Sequence, residues 1–150
     1  MRKSTDAGVG TQRVGQLLFV AAQAAQALAT EELAPHGLSA RSWGVLSTLV
    51  ESGPLTQIEL ATGMAIDRTA MVYLIDELEG NGLVQRVRNQ ADRRAYLINL
   101  TGKGRTAQQK GADALAAARN QLLAPLDLSE RDQLNRLLSR VIDHWHQMAR

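Results

Sequence analysis

The order of apolar and polar positions divides the chain into a helical frame around one short β segment. Between Thr11 and Leu33 the residues Val14, Leu17, Leu18, Ala21, Ala25, Leu28 and Ala29 recur every three or four positions, with Gln16, Gln23 and Gln26 beside them. That is the period of a helix with one apolar stripe. Pro35-His36-Gly37 breaks it, and Ser39 then caps a segment in which Trp43, Leu46, Leu49 and Val50 face inward, before Ser52-Gly53-Pro54. Thr56-Gln57-Ile58-Glu59 is a capping box that opens a short helix, Gln57 to Thr62, ended by Gly63. After a turn at Met64-Ala65-Ile66, Asp67 caps a further helix whose Met71, Leu74, Ile75 and Leu78 fall on one face, and Gly80-Asn81-Gly82 stops it.

The period then changes to two. Val84, Arg86 and Arg88 alternate with Val87 and Asn89, and Tyr96, Ile98 and Leu100 alternate with Leu97 and Asn99, so two strands form a hairpin with the tip QADRRA. Thr101 starts a long helix through Leu123 that ends near Pro125. Ser129-Glu130-Arg131-Asp132 opens a last helix, with Leu134, Leu137, Leu138, Val141, Ile142, Trp145 and Met148 on a broad apolar face.

Helix, tight turn, helix and basic hairpin is the order of a winged helix-turn-helix, whose second helix enters the major groove while the wing reaches the neighbouring minor groove. The expected fold is mainly α with a small β-hairpin wing. A winged helix-turn-helix over 39–100 is flanked by terminal helices at 11–34 and 102–149, within one domain spanning 1–150.

Charge strengthens this reading through its distribution, since the net charge is only +2. From Gly80 to Arg105 the basic residues Arg86, Arg88, Arg93, Arg94, Lys103 and Arg105 face a single acid, Asp92. That asymmetry is the footprint of a backbone-binding surface. At the tip, Arg93 and Arg94 form a fork suited to phosphate or a narrow groove, with Asp92 placed to orient them. On the reading helix, the face opposite Met71, Leu74, Ile75 and Leu78 presents Arg68, Thr69, Val72, Tyr73 and Asp76. Arg68 suits guanine edges or phosphate, and Thr69 suits phosphate or a thymine methyl.

The run GPLTQIELATGMAIDRTAMVYLIDELEGNGLVQRV and then ADRRAYLINLTGKG resembles the MarR family of bacterial transcriptional regulators, whose wing is marked by Asp-x-Arg leading into Leu-Thr-x-x-Gly. Those positions here are Asp92, Arg94, Leu100, Thr101 and Gly104. The resemblance extends to the flanking helices and implies DNA contacts from Arg68, Thr69, Tyr73, Arg86, Arg88, Asp92, Arg93 and Arg94. A threonine and an arginine are common in the family where Val72 and Tyr73 stand, and a basic residue where Glu77 stands, so more of the affinity falls to the wing.

The terminal helices carry more apolar surface than the wing can cover, which asks for a second copy. The family pattern likewise implies first and last helices interleaved in a homodimer, with Leu17, Leu18, Leu134, Leu138, Ile142 and Trp145 at the interface. A two-fold axis would set two reading helices on pseudo-palindromic half-sites of double-stranded DNA about one helical turn apart. The resemblance also implies a small aromatic or phenolic effector between the two lobes, near His36 and Trp43, and repression relieved by it. The competing reading is a winged-helix module that binds a protein partner or packs DNA without an operator or inducer.

Catalysis, metals and cofactors find no motif. There is no G-x-S-x-G elbow, no P-loop and no G-x-G-x-x-G. His144 and His146 diverge by about 200° on a helix, unlike metal ligands one turn apart. The absence of cysteine excludes thiol redox sensing. No apolar run approaches the roughly 18 residues of a membrane span, and the polar N-terminus lacks a signal-peptide core, so a soluble cytoplasmic protein is expected.

Overall fold

A computed structural model describes residues 6–148. Residues 1–5 and the expected helix end at 149 lie outside the described residues. Helix α1, Asp6–Leu33, is followed by a short 3₁₀ turn at Ala34–His36, and α2 spans Ala40–Ser52. Proline at the start of the 3₁₀ turn suits its missing N–H, and Gly37 takes the left-handed conformation at φ 67° that closes it. Ser39 caps α2 by accepting from the Ser42 N–H at 3.0 Å. The helix buries Ser42, Val45, Leu46 and Leu49. Val50, expected inside, is exposed, and Val45 takes the inward place because it lies one turn before Leu49 on the same face.

Strand β1, Leu55–Thr56, precedes α3, Gln57–Gly63, and α4 covers Arg68–Gly80. Thr56 makes the full capping box with Glu59. Gly63 is the last helical residue and not the left-handed stop. That conformation falls two residues later on Ala65, at φ 51°. The Ile66 N–H reaches the Ala61 carbonyl at 2.9 Å and the Ala65 N–H the Thr62 carbonyl at 3.3 Å, a Schellman ending built on a residue other than glycine. Asp67 then caps α4, accepting from the Ala70 N–H at 3.1 Å. Gly82, at φ 72°, ends α4 by the same motif.

Strands β2, Val84–Arg88, and β3, Tyr96–Leu100, pair antiparallel, with Val84 opposite Leu100, Arg86 opposite Ile98 and Arg88 opposite Tyr96. The hairpin is part of a three-stranded sheet of order β1-β3-β2, because Leu55 and Thr56 pair with Ile98 and Leu97. Two residues are too few to show a period, so β1 was invisible as a strand. The core lies where α2, α3, α4 and the sheet meet, with Leu46, Leu60, Met71, Ile75, Leu78, Val84 and Ile98 buried.

Helix α5, Gly102–Leu122, and α6, Leu128–Met148, complete the chain. Thr101 caps α5 by accepting from the Gly104 N–H at 3.0 Å, and its hydroxyl donates to the Gly82 carbonyl at 2.7 Å. A side chain at Gly104 would strike the Leu83 carbonyl. The Leu-Thr-x-x-Gly run is thus the joint that fastens α5 to the base of the wing. The cap of α6 is Asp127 rather than Ser129: Asp127 accepts from the Glu130 N–H and Glu130 accepts from the Asp127 N–H, both at 2.9 Å. No helix of the described residues is long and apolar enough to cross a membrane.

Candidate nucleic-acid interface

Helix α4 turns Met71, Ile75 and Leu78 into the core and leaves Arg68, Thr69, Val72 and Tyr73 exposed, Tyr73 at 71%. A tyrosine that exposed is free to bring a phenol and an aromatic face to a ligand surface. At the wing, Arg88, Arg93 and Arg94 are exposed, and among the described residues none of the three pairs with a carboxylate. The tip is ordered by short side chains. The Asn89 carboxamide oxygen accepts from the Ala91 N–H at 2.9 Å, and Asp92 Oδ1 accepts from the Arg94 backbone N–H at 3.0 Å. Asp92 therefore shapes the turn instead of holding a guanidinium. The Arg88 guanidinium lies 6.0 Å from the centre of the Tyr96 ring across the hairpin.

Arg86 stands apart from these arginines. Its guanidinium is bound by Asp76 and Glu79 of α4, and its backbone N–H donates to Glu79 Oε1 at 2.9 Å. At an inward-facing strand position beside two carboxylates one turn apart, Arg86, expected at DNA, links the helix to the wing. Burial acts to lower the Arg86 pKa, but the two carboxylates outweigh it and raise it. The Arg86 backbone N–H leads in holding the Glu79 carboxyl below its usual range. Sequence periodicity gave no sign of this clasp. The three-residue spacing of Asp76 and Glu79 was the available signal.

Trp43 is not among the residues that line the cavity at His36. Trp43 is half-buried, its indole N–H donating to the Gln108 carbonyl at 3.0 Å and its ring filling the space beside Gly111. His36 lines a separate cavity of about 420 Å³ with Leu83, Lys103, Thr106 and Lys110. A second cavity of about 220 Å³, apolar and lined by Ala25, Leu28, Ala29, Leu115 and Leu122, lies between α1 and α5. Sequence reading missed it because its walls are distant along the chain.

Of the residues expected at a dimer interface, Leu17, Leu18, Ile142 and Trp145 are exposed, while Leu134 and Leu138 are half-buried. The start of α6 is tied to the preceding loop, where Arg131 Nε donates to the Leu123 and Leu126 carbonyls at 3.1 Å each. Among the described residues no three histidines and carboxylates converge as metal ligands would.

A family model described as MarR family matches residues 38–96. A candidate transcriptional regulatory protein for the hcr operon of Thauera aromatica is 31% identical, over 79% of this chain and 69% of its own length. A cysteine-to-serine mutant of MarR from E. coli, in complex with operator DNA, superposes with a TM-score of 0.77 at 26% identity, over 86% of this chain and 93% of that one. BpsR of Bordetella bronchiseptica, whose structure concerns regulation of DNA binding by 6-hydroxynicotinic acid, gives 0.75 at 26% identity, over 86% and 98%. Sequence, fold and the exposed reading face lead to one assignment: the chain belongs to the MarR family and is a DNA-binding transcriptional regulator.

Proposed function

We propose that this regulator is a homodimeric repressor that occupies a pseudo-palindromic operator and is released by a small aromatic or phenolic acid. The observation that carries the DNA-reading part is the pairing of an exposed α4 face, Arg68, Thr69 and Tyr73, with wing arginines 88, 93 and 94 left without carboxylate partners. Base edges are read from the helix, while guanidinium groups at the wing supply affinity that does not depend on sequence. The likeness to E. coli MarR, a protein captured in complex with operator DNA, supports a DNA-bound role for this chain.

The dimer rests on the exposed apolar residues of α6, Leu137, Val141, Ile142 and Trp145, together with Leu17 and Leu18 of α1. A monomer rarely leaves such stripes in water. The effector rests on the His36 cavity, where Lys103 and Lys110 stand beside the imidazole with no carboxylate in the lining, a setting for an aromatic acid. The regulation of BpsR by 6-hydroxynicotinic acid favours that ligand class. An effector that prefers the DNA-free arrangement of the reading helices lowers DNA affinity reciprocally.

The test is footprinting on genomic fragments followed by titration on the selected site and on unrelated duplex at several salt concentrations. A repressor keeps a specificity ratio of about 10³ or more. Equal affinity for both duplexes identifies a DNA-packing module instead, and no DNA binding leaves a protein-interaction module.

A further inference from the structure

The helix proposed to enter the major groove carries its charges in an order that opposes DNA. Arg68 occupies its first turn, and Asp76, Glu77 and Glu79 follow in its second half. Alone, α4 would bring three carboxylates and one guanidinium toward a phosphate backbone. Among the described residues both salt bridges are made by Arg86, and both run to this helix. Its Nη2 lies 2.5 Å from Asp76 Oδ1 and its Nη1 bonds Glu79 Oε2. Asp76 and Glu79 are three residues apart and so share one flank of α4. Arg86 sits mid-strand in β2, opposite Ile98 of the central strand.

One cation therefore answers two carboxylates and ties the reading helix to the root of the wing. Its side chain is only 22% exposed, against 54% for Asp76. With the guanidinium forked between two acids, its donors are turned toward α4 and away from a phosphate.

We propose that Arg86 is a charge-balancing and positioning residue for DNA binding. It discharges the acidic half of α4 and fixes the wing against that helix, and it does not itself contact phosphate. This rests on the DNA-reading function proposed above and deepens it. The two ways an arginine can aid DNA binding differ in one respect. The cost of losing a phosphate contact does not depend on the charge of Asp76 and Glu79, whereas the cost of losing their counter-charge disappears once both are neutralised.

The experiment measures affinity for a footprinted operator and for a random duplex, in low salt, with wild type, Arg86→Gln, Asp76→Asn/Glu79→Gln, and the triple variant. Glutamine at 79 keeps an oxygen for the Arg86 N–H. Arg86→Gln is expected to weaken binding to both duplexes roughly five- to tenfold, as two carboxylates are left facing phosphates. The triple variant is expected to return to within about twofold of wild type, and the double variant, with Arg86 released, to bind more tightly than wild type. A triple variant as weak as Arg86→Gln, or an Arg86→Gln protein of undiminished affinity, overturns the proposal. Should Arg86→Gln not fold, the double variant decides alone, and unchanged or weaker binding by it rejects the proposal. Failure of the wild type to bind any duplex rejects the DNA-reading function itself and is distinct from all of these results.

Discussion

The indole of Trp43 occupies the space that a side chain at Gly111 would need. A Cβ there would sit 2.8 Å from Trp43 Nε1 and 3.1 Å from Leu33 Cδ2, while the indole N–H donates to the Gln108 carbonyl one turn earlier at 3.0 Å. This contact locks α2 to α5, and so couples the reading lobe to a terminal helix. Gly111→Ala is expected to lower stability by about 1–2 kcal/mol, overpacking outweighing the gain in helix propensity. Urea unfolding checks this, and an unchanged or raised midpoint would show that the ring yields without cost.

Arg94 is exposed and its backbone N–H, not its guanidinium, is held by Asp92. Arg94→Ala should therefore weaken binding to operator and unrelated DNA alike and lower the salt slope by about 1. Asp92→Ala should act less strongly, by loosening the turn. Arg68→Ala should instead relax preference at one base position at a cost of about 1–3 kcal/mol. Selection of binding sites from random duplex by each variant separates the two behaviours, and an unchanged slope for Arg94→Ala would remove the wing from the mechanism.

Ile142 and Trp145 lie exposed on α6. Replacing both with aspartate should halve the mass in solution, because two charges cannot be buried in an apolar interface. Tight binding to a two-half-site operator should fall with it, as the second half-site loses its effective concentration. Light scattering and titration on one- and two-site duplexes measure this. A variant that stays dimeric places the interface elsewhere.

Acid should weaken the fold through Glu59, whose carboxyl is held below its ordinary value of 4.5 first by the Thr56 backbone N–H and then by the Thr56 hydroxyl. A carboxyl with a lowered folded pKa binds fewer protons in the native state than in the unfolded one. Its contribution is therefore full above the unfolded value and lost as pH falls through the folded one. Glu59→Gln should lessen the drop in stability between neutral pH and acid. Identical acid profiles for the two proteins would deny the capping box this role.

Trp43 does not line the His36 cavity and its indole is held on α5, so an effector in that cavity should leave Trp43 emission nearly unchanged. Aromatic acids that release the protein from DNA should act more weakly on His36→Ala and on Lys110→Ala. Release that persists unaltered in both variants would move the effector to another cavity.

The elements were legible wherever local chemistry decides the backbone. Caps at Ser39, Thr56, Asp67 and Thr101 stand where their residue types place them. The alternation of Val84 and Arg86 against Ile98 and Leu100 matches the register found. Local rules misplaced the α6 cap and the inward residue of α2, where Asp127 and Val45 compete with equally plausible neighbours.

The order of helices and hairpin follows from the local sequence, because capping, period and left-handed glycine are properties of a few consecutive residues. Which residues meet across the chain is settled by packing in three dimensions. Strand β1 exists because β3 offers its free edge to Leu55 and Thr56. Arg86 is a brace because α4 and β2 bring it within reach of Asp76 and Glu79. Trp43 is joined to α5 because Gly111 leaves room for its ring. Charge and apolarity mark a residue as able to bind something, but distance in space selects its partner, and distance is set by packing that no local window contains.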